Sequence, residues 1–139
     1  MRKTILLLFT ACISFMGNTA ELVMTDGWAR ASIPGAANGA AYLSLKNTGD
    51  DAVTLVGMSS EVAKVTELHT HIHADGMMRM EHVPSKIISP GESLIMQPGG
   101  YHVMLMGLKQ PLQENGMLHI VLDFADGTQQ TLDVGIRKP

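Results

Sequence analysis

Residues 101–108 read Tyr101-His102-Val103-Met104-Leu105-Met106-Gly107-Leu108. The alternation is that of a half-buried strand, because side chains two residues apart point to the same side of a sheet. Tyr101, Val103 and Leu105 supply the core face. His102, Met104 and Met106 then form a stripe of one imidazole and two thioethers on the opposite face. Residues 117–124 obey the same rule: Leu118, Ile120, Leu122 and Phe124 face the core, while His119 and Asp123 face out, so His119 reads as a solvated histidine. In residues 77–83, Met78, Met80 and His82 fall together, and a second strand carries a Met/His stripe.

Working outward, the rest of the chain repeats the pattern of short apolar stretches between turn signals, with no helical periodicity. Further strands are expected over residues 22–31, 40–46, 52–58, 62–71, 93–97 and 129–136, with a single helical turn as the alternative over 60–64. Asn47-Thr48-Gly49-Asp50, Ala74-Asp75-Gly76, Pro98-Gly99-Gly100 and Ala125-Asp126-Gly127 supply turns. Many short strands at this spacing imply an all-β protein, an antiparallel sandwich or barrel.

The first twenty residues read as a secretory signal: Arg2 and Lys3, an apolar run over residues 5–15, and Asn18-Thr19-Ala20 at the cut. The run is shorter than the ~20 residues a membrane span needs, so no stable membrane insertion is expected. Leu8-Phe9-Thr10-Ala11-Cys12 is a loose match to a lipoprotein cut before Cys12, with Phe9 off the pattern. Residues 21–139 are then one domain, exported to the periplasm, large enough to bury a core without disulfides. The single cysteine, Cys12, lies in the signal. A mature chain without thiols excludes a blue-copper site, a cysteine zinc site and a cysteine nucleophile. Losing Arg2 and Lys3 leaves 8 bases against 13 acids, a net charge of −5. That surface argues against nucleic acid as a partner and against anionic lipid.

The chemistry rests on His69, Met80, His102 and Met104. Two imidazoles and two thioethers suit Cu(I), a soft ion. Thioethers cannot form disulfides, so the set stays usable where cysteines oxidise. Residues i and i+2 on a strand have Cα atoms about 6.5–7 Å apart, so His102 and Met104 can converge on one ion. A hairpin at Ala74-Asp75-Gly76 would bring His69 and Met80 together across the ladder. Each residue alone has a plainer explanation. Methionine is a common core filler, and a lone histidine is usually solvated or satisfied by a hydrogen bond. His71 and His73 read as a solvated loop rim, or as a weak Cu(II) or Zn(II) surface site. Composition and spacing leave metal binding and packing both standing.

Ten residues lie between His69 and Met80, twenty-one between Met80 and His102, and one between His102 and Met104. This spacing resembles the signature of the periplasmic copper chaperone family PCu(A)C. Trp28-Ala29-Arg30-Ala31, Pro34-Gly35-Ala36-Ala37 and Ala41-Tyr42-Leu43-Ser44-Leu45-Lys46-Asn47 resemble that family's opening. Glu67-Leu68-His69, Gly76-Met77-Met78-Arg79-Met80, Pro98-Gly99-Gly100 and the stretch 102–108 resemble its metal-binding half. The resemblance implies a cupredoxin-like antiparallel Greek-key β-sandwich. It also implies Cu(I) on His69, Met80, His102 and Met104, and delivery of copper to the CuA centre of cytochrome c oxidase. The partner would be oxidase subunit II or another assembly factor, and the carrier a monomer. Some relatives hold Cu(II) with a His/Met-rich tail. Here the sequence reads Ile136-Arg137-Lys138-Pro139, so a secondary Cu(II) site would draw on His71, His73 or His82.

A carrier needs no bond-breaking residue, so none is assigned. Its ligands are expected on strand ends and loops at a molecular edge, where a recipient can replace them one at a time. Three rivals stand beside it. A zinc hydrolase would use His69, His71 and His73 with Glu67 or Asp75 as base. A metal-free adhesion sandwich would bind no copper. A copper-buffering resistance protein would share the site and differ only in its recipient.

Overall fold

The computed structural model describes residues 22–139; the signal expected over residues 1–20 lies outside the described residues. The strands are β1 (Leu22–Arg30), β2 (Asn38–Asn47), β3 (Val53–Ser59), β4 (Ala63–Ala74), β5 (Met77–His82), β6 (Lys86–Ile88), β7 (Ser93–Ile95), β8 (His102–Leu108), β9 (Met117–Phe124) and β10 (Gln129–Arg137). They are hydrogen-bonded in the order β5-β4-β8-β2-β1-β10-β9-β3-β6, with β7 on β2. β3 also meets β4 at Met58↔Thr66, so the path closes on itself as a flattened barrel. Long crossovers put β8 between β4 and β2, and β10 between β1 and β9, the Greek-key way of joining strands distant in sequence. Among the described residues no helix is long and apolar enough to cross a membrane.

The expected all-β sandwich is therefore what forms, with two corrections. Every pairing is antiparallel except β1 with β10, which run parallel through Trp28↔Gly135, Ala29↔Ile136 and Arg30↔Arg137. β6 has no counterpart among the strands expected from sequence. It is three residues long, pairs with β3 through Ile88↔Val53, and buries only Ile88, too short a run to show alternation.

Alternation assembles the core. Leu43 and Leu45 of β2, Val103 and Leu105 of β8, Leu118, Ile120 and Leu122 of β9, and Val134 of β10 are fully buried. At about 1.5–3 kcal/mol for each large aliphatic side chain removed from water, this interior holds the strands with almost no aromatic content. Asn47 is buried among them. Its amide donates to the carbonyl oxygens of Asp51 (2.7 Å) and Ile88 (2.9 Å) and ties off the loop after β2.

The β4–β5 hairpin sets the position of the site. Its two-residue turn is Asp75-Gly76, with φ of 53° and 73°. Two successive positive φ values are what a type I′ turn demands and what Asp-Gly supplies. The tight turn pairs Ala74 with Met77, and hence His73 with Met78, His71 with Met80 and His69 with His82. The other side of β4 pairs with β8: His69↔His102 and Glu67↔Met104.

Candidate metal centre

Residues opposite one another in an antiparallel ladder share a face. Four adjacent strands, β5-β4-β8-β2, thus present one continuous outer face bearing Met80, His71, His69, His102 and Met104. An open cavity of about 440 Å³ lies at this face, lined by His71, Met80, His102 and Met104 together with Arg30, Ile33 and Ala36.

His102 is the anchor. It points to the outer face, yet it is only 4% exposed. The rings of Tyr42, His69 and His71 surround it at centroid distances of 6.5, 5.9 and 5.2 Å. Tyr42 is itself fixed, 5.0 Å from the Trp28 ring and 5.9 Å beneath the Arg30 guanidinium. The Nδ1–H of His102 donates to the Gly100 carbonyl at 3.1 Å. In the neutral ring this bond fixes the tautomer and leaves Nε2 as the lone-pair nitrogen, the way ligating histidines are oriented. Burial holds the imidazole below the usual histidine value. The Gly100 bond opposes that shift, and the neighbouring His71 and His69 rings reinforce it. The structure therefore keeps His102 neutral, the form a metal needs. The expectation of ligands confined to a molecular edge is corrected here: three rings cover this one.

His69 faces His102 across the ladder, but the cavity wall is made by His71 instead. The Nε2 of His69 lies 2.9 Å from Oε2 of Glu67, its neighbour two residues back on the same face. With Nε2–H donating to the carboxylate, Nδ1 keeps the lone pair. Carboxylates of this kind orient ligating histidines and raise their basicity. Met80 is half exposed on β5, where every residue is exposed. Met104 is half-buried beside Ala40.

The structure thus brings Met80, His102 and Met104 to one cavity, with His69 at its side. Met80 sits opposite His71, not His69, because a two-residue turn fixes the hairpin register. His71 is accordingly not on a solvated rim; His73, nearer the turn, is exposed. Sequence reasoning passed over Glu67 as a partner of His69, and Tyr42 as cover over His102. The i, i+2 spacing of Glu67, His69 and His71 was the available signal for the first. The cover comes from residues about 60 positions before His102, with no local signal.

The fold and the pocket define an all-β sandwich with imidazoles and thioethers gathered at one cavity. A family model described as "Putative lipoprotein LpqE-like" matches residues 22–136. The "Putative lipoprotein Lxx21020" of Leifsonia xyli subsp. xyli (strain CTCB07) is 33% identical over 115 residues, covering 82% of this chain and 68% of that protein. The solution structure of CuI-DR1885 from Deinococcus radiodurans is similar at 31% identity and a TM-score of 0.67, covering 90% of this chain and 82% of that one. The copper-bound PCuAC domain from PmoF2 shares the fold, with a TM-score of 0.69 at 20% identity over 87% of this chain and 96% of that one. The chain belongs to the LpqE-like family of PCuAC domains, as the spacing of the four donors implied.

Proposed function

We propose that this protein is a Cu(I) carrier of the bacterial envelope, holding one ion on His69, Met80, His102 and Met104. The observation that carries the reading is the cavity that collects Met80, His102 and Met104 beside His69. The Cu(I) form of a relative 31% identical supports it. Two thioethers select the soft ion, and two histidines, each with one ring nitrogen held by a hydrogen bond, complete the shell. Anaerobic Cu(I) titration against a competing chelator tests it. Wild type should take one ion per chain, and the His69/Met80/His102/Met104 quadruple alanine variant should take none. Equal binding by both would overturn the assignment.

A carrier without catalysis also fits the histidine geometry better than a zinc hydrolase does. His69, His71 and His73 lie in a row on one strand, so the outer two Cα atoms are about 13 Å apart. Among the described residues no three His, Asp or Glu side chains gather to hold a metal without sulfur. His82, whose ring lies 5.8 Å from His69, is the imidazole placed to take Cu(II) outside the cavity. A Cu(II) titration that is unchanged in His82→Ala would remove that secondary site.

The recipient in this proposal is the CuA centre of cytochrome c oxidase. Mixing the Cu(I)-loaded protein with apo oxidase subunit II domain and oxidant should develop the CuA absorption faster than free Cu(I)–chelator does. Transfer no faster than from the chelator would favour a buffering role. The carrier works as a monomer in the periplasm. Relatives bearing the name lipoprotein favour export, and Cys12 is where a lipid anchor would sit. Mass spectrometry of the native N-terminus separates a free mature chain from a diacylated one.

A further inference from the structure

His71 has no part in the ligand set proposed above, yet it is the imidazole that walls the cavity together with Met80, His102 and Met104. It stands opposite Met80 in the hairpin ladder. Its ring is 5.2 Å from that of His102, nearer than the His69 ring at 5.9 Å. Its Nδ1 is buried and has no hydrogen-bond partner. A buried, unpaired nitrogen is costly unless something satisfies it. His69 is in the opposite condition, with Nε2 held by Glu67 at 2.9 Å. The protein thus has one imidazole beside the cavity, oriented by a carboxylate on Nε2, and another on its wall with an unpaired buried nitrogen.

We propose that His71 is a fifth copper donor, interchangeable with His69. The ion is held by Met80, His102 and Met104 together with either imidazole. With His71 the site is complete while His69 stays beside the cavity. When His69 turns in and ligates through Nδ1, the nitrogen its Glu67 bond leaves free, His71 is released. Two imidazoles sharing one coordination position let the ion shift along β4 toward the exposed hairpin without dropping to three donors, a useful property in a protein that must surrender its cargo. This inference rests on the Cu(I) site proposed above.

A double-mutant cycle tests it. Anaerobic Cu(I) affinity is measured by chelator competition on the apo protein without a histidine tag, for wild type, His69→Ala, His71→Ala and the double variant. His71→Ala alone should weaken binding less than about threefold, because His69 replaces it. On the His69→Ala background the same change should weaken binding at least tenfold more than it does in wild type. In Cu(I)-loaded His69→Ala, the ring nitrogens of His71 should shift in long-range 1H–15N spectra. His73→Ala, on the exposed end of the strand, should show no such coupling and serves as the control. Unchanged amide spectra of each apo variant establish that it is folded, with His71→Gln in reserve if His71→Ala is not. Additive effects of His69→Ala and His71→Ala would overturn the proposal. So would a loss in His71→Ala alone as large as in His102→Ala, which would make His71 a fixed ligand. Either result leaves the Cu(I) site standing; only Cu(I) binding by the quadruple variant removes that site.

Discussion

The two strands that flank β4 treat their donors in opposite ways. β8 places His102 under three rings and locks its tautomer on Gly100, with Val103 and Leu105 rooted in the core on the other face. β5 is an edge strand in which all six residues are exposed, and it is held by β4 alone. One half of the pocket is built into the fold, and the other is laid against it. For a carrier this division is useful: the buried histidine gives a fixed point of attachment, and the exposed thioether is where a recipient can begin ligand exchange.

Replacing His102 should give the largest effect. His102→Ala should weaken Cu(I) binding more than about 100-fold, beyond the range usual for residues that only orient a ligand. It should also lower apo stability by about 1–3 kcal/mol, since it empties a buried position and strips the Gly100 carbonyl of its donor. Met80→Ala should likewise weaken Cu(I) binding but leave apo stability within about 0.5 kcal/mol, as exposed substitutions do. Chemical denaturation of the two apo variants checks this. Equal destabilisation would break the contrast between the strands.

Glu67→Ala should come next: on the His71→Ala background, where no second imidazole can stand in for His69, it should lower Cu(I) affinity by about 10–100-fold through loss of orientation, with the one-ion stoichiometry kept. Chelator competition reads it; unchanged affinity would mean that His69 does not need its carboxylate.

The pH dependence is smaller and its sign follows from burial. The folded His102 lies below the ordinary histidine value of 6.5. Between that lowered value and 6.5 the unfolded chain binds the proton and the folded chain does not, so stability rises with pH across this window. The contribution is complete above about 6.5 and is lost as pH falls through the folded value. An NMR titration of apo protein should place the His102 midpoint below the ordinary histidine value of 6.5. A His102 midpoint at or above 6.5 would mean that the ring cover is absent in solution.

The smallest effect sharpens the same comparison. In a brief peroxide pulse on apo protein, Met80 should oxidise before Met104, and Met96, which is buried, should oxidise last. Bound Cu(I) should protect the first two and leave Met96 unchanged, because a sulfur engaged with copper is a poor site for sulfoxide formation. Peptide mass spectrometry reads the order.

Much of this arrangement was legible in the chain. Alternation gave the core face of residues 117–124 correctly, because there the period of two is clean; in residues 101–108 it placed Val103 and Leu105 in the core but missed that His102, on the opposite face, is buried as well. The turn at Asp75-Gly76 was visible too. Its two-residue length, which sets Met80 against His71, could be read only by pairing outward from Ala74 and Met77. The cover over His102 was not legible, since Tyr42 reaches it through the β2–β8 pairing, a crossover that leaves no mark near residue 102. The parallel β1–β10 pair was hidden for the same reason: strand direction between the two ends of the chain is a property of topology, while side-chain pattern reports only faces.

The central claim is that two thioethers share the copper with imidazole. X-ray absorption of the Cu(I)-loaded protein, prepared anaerobically at one ion per chain, tests it most directly. The account expects two sulfur neighbours together with imidazole nitrogen, falling to one sulfur in either Met80→Ala or Met104→Ala. A shell of nitrogen and oxygen alone, identical in wild type and both variants, would contradict it.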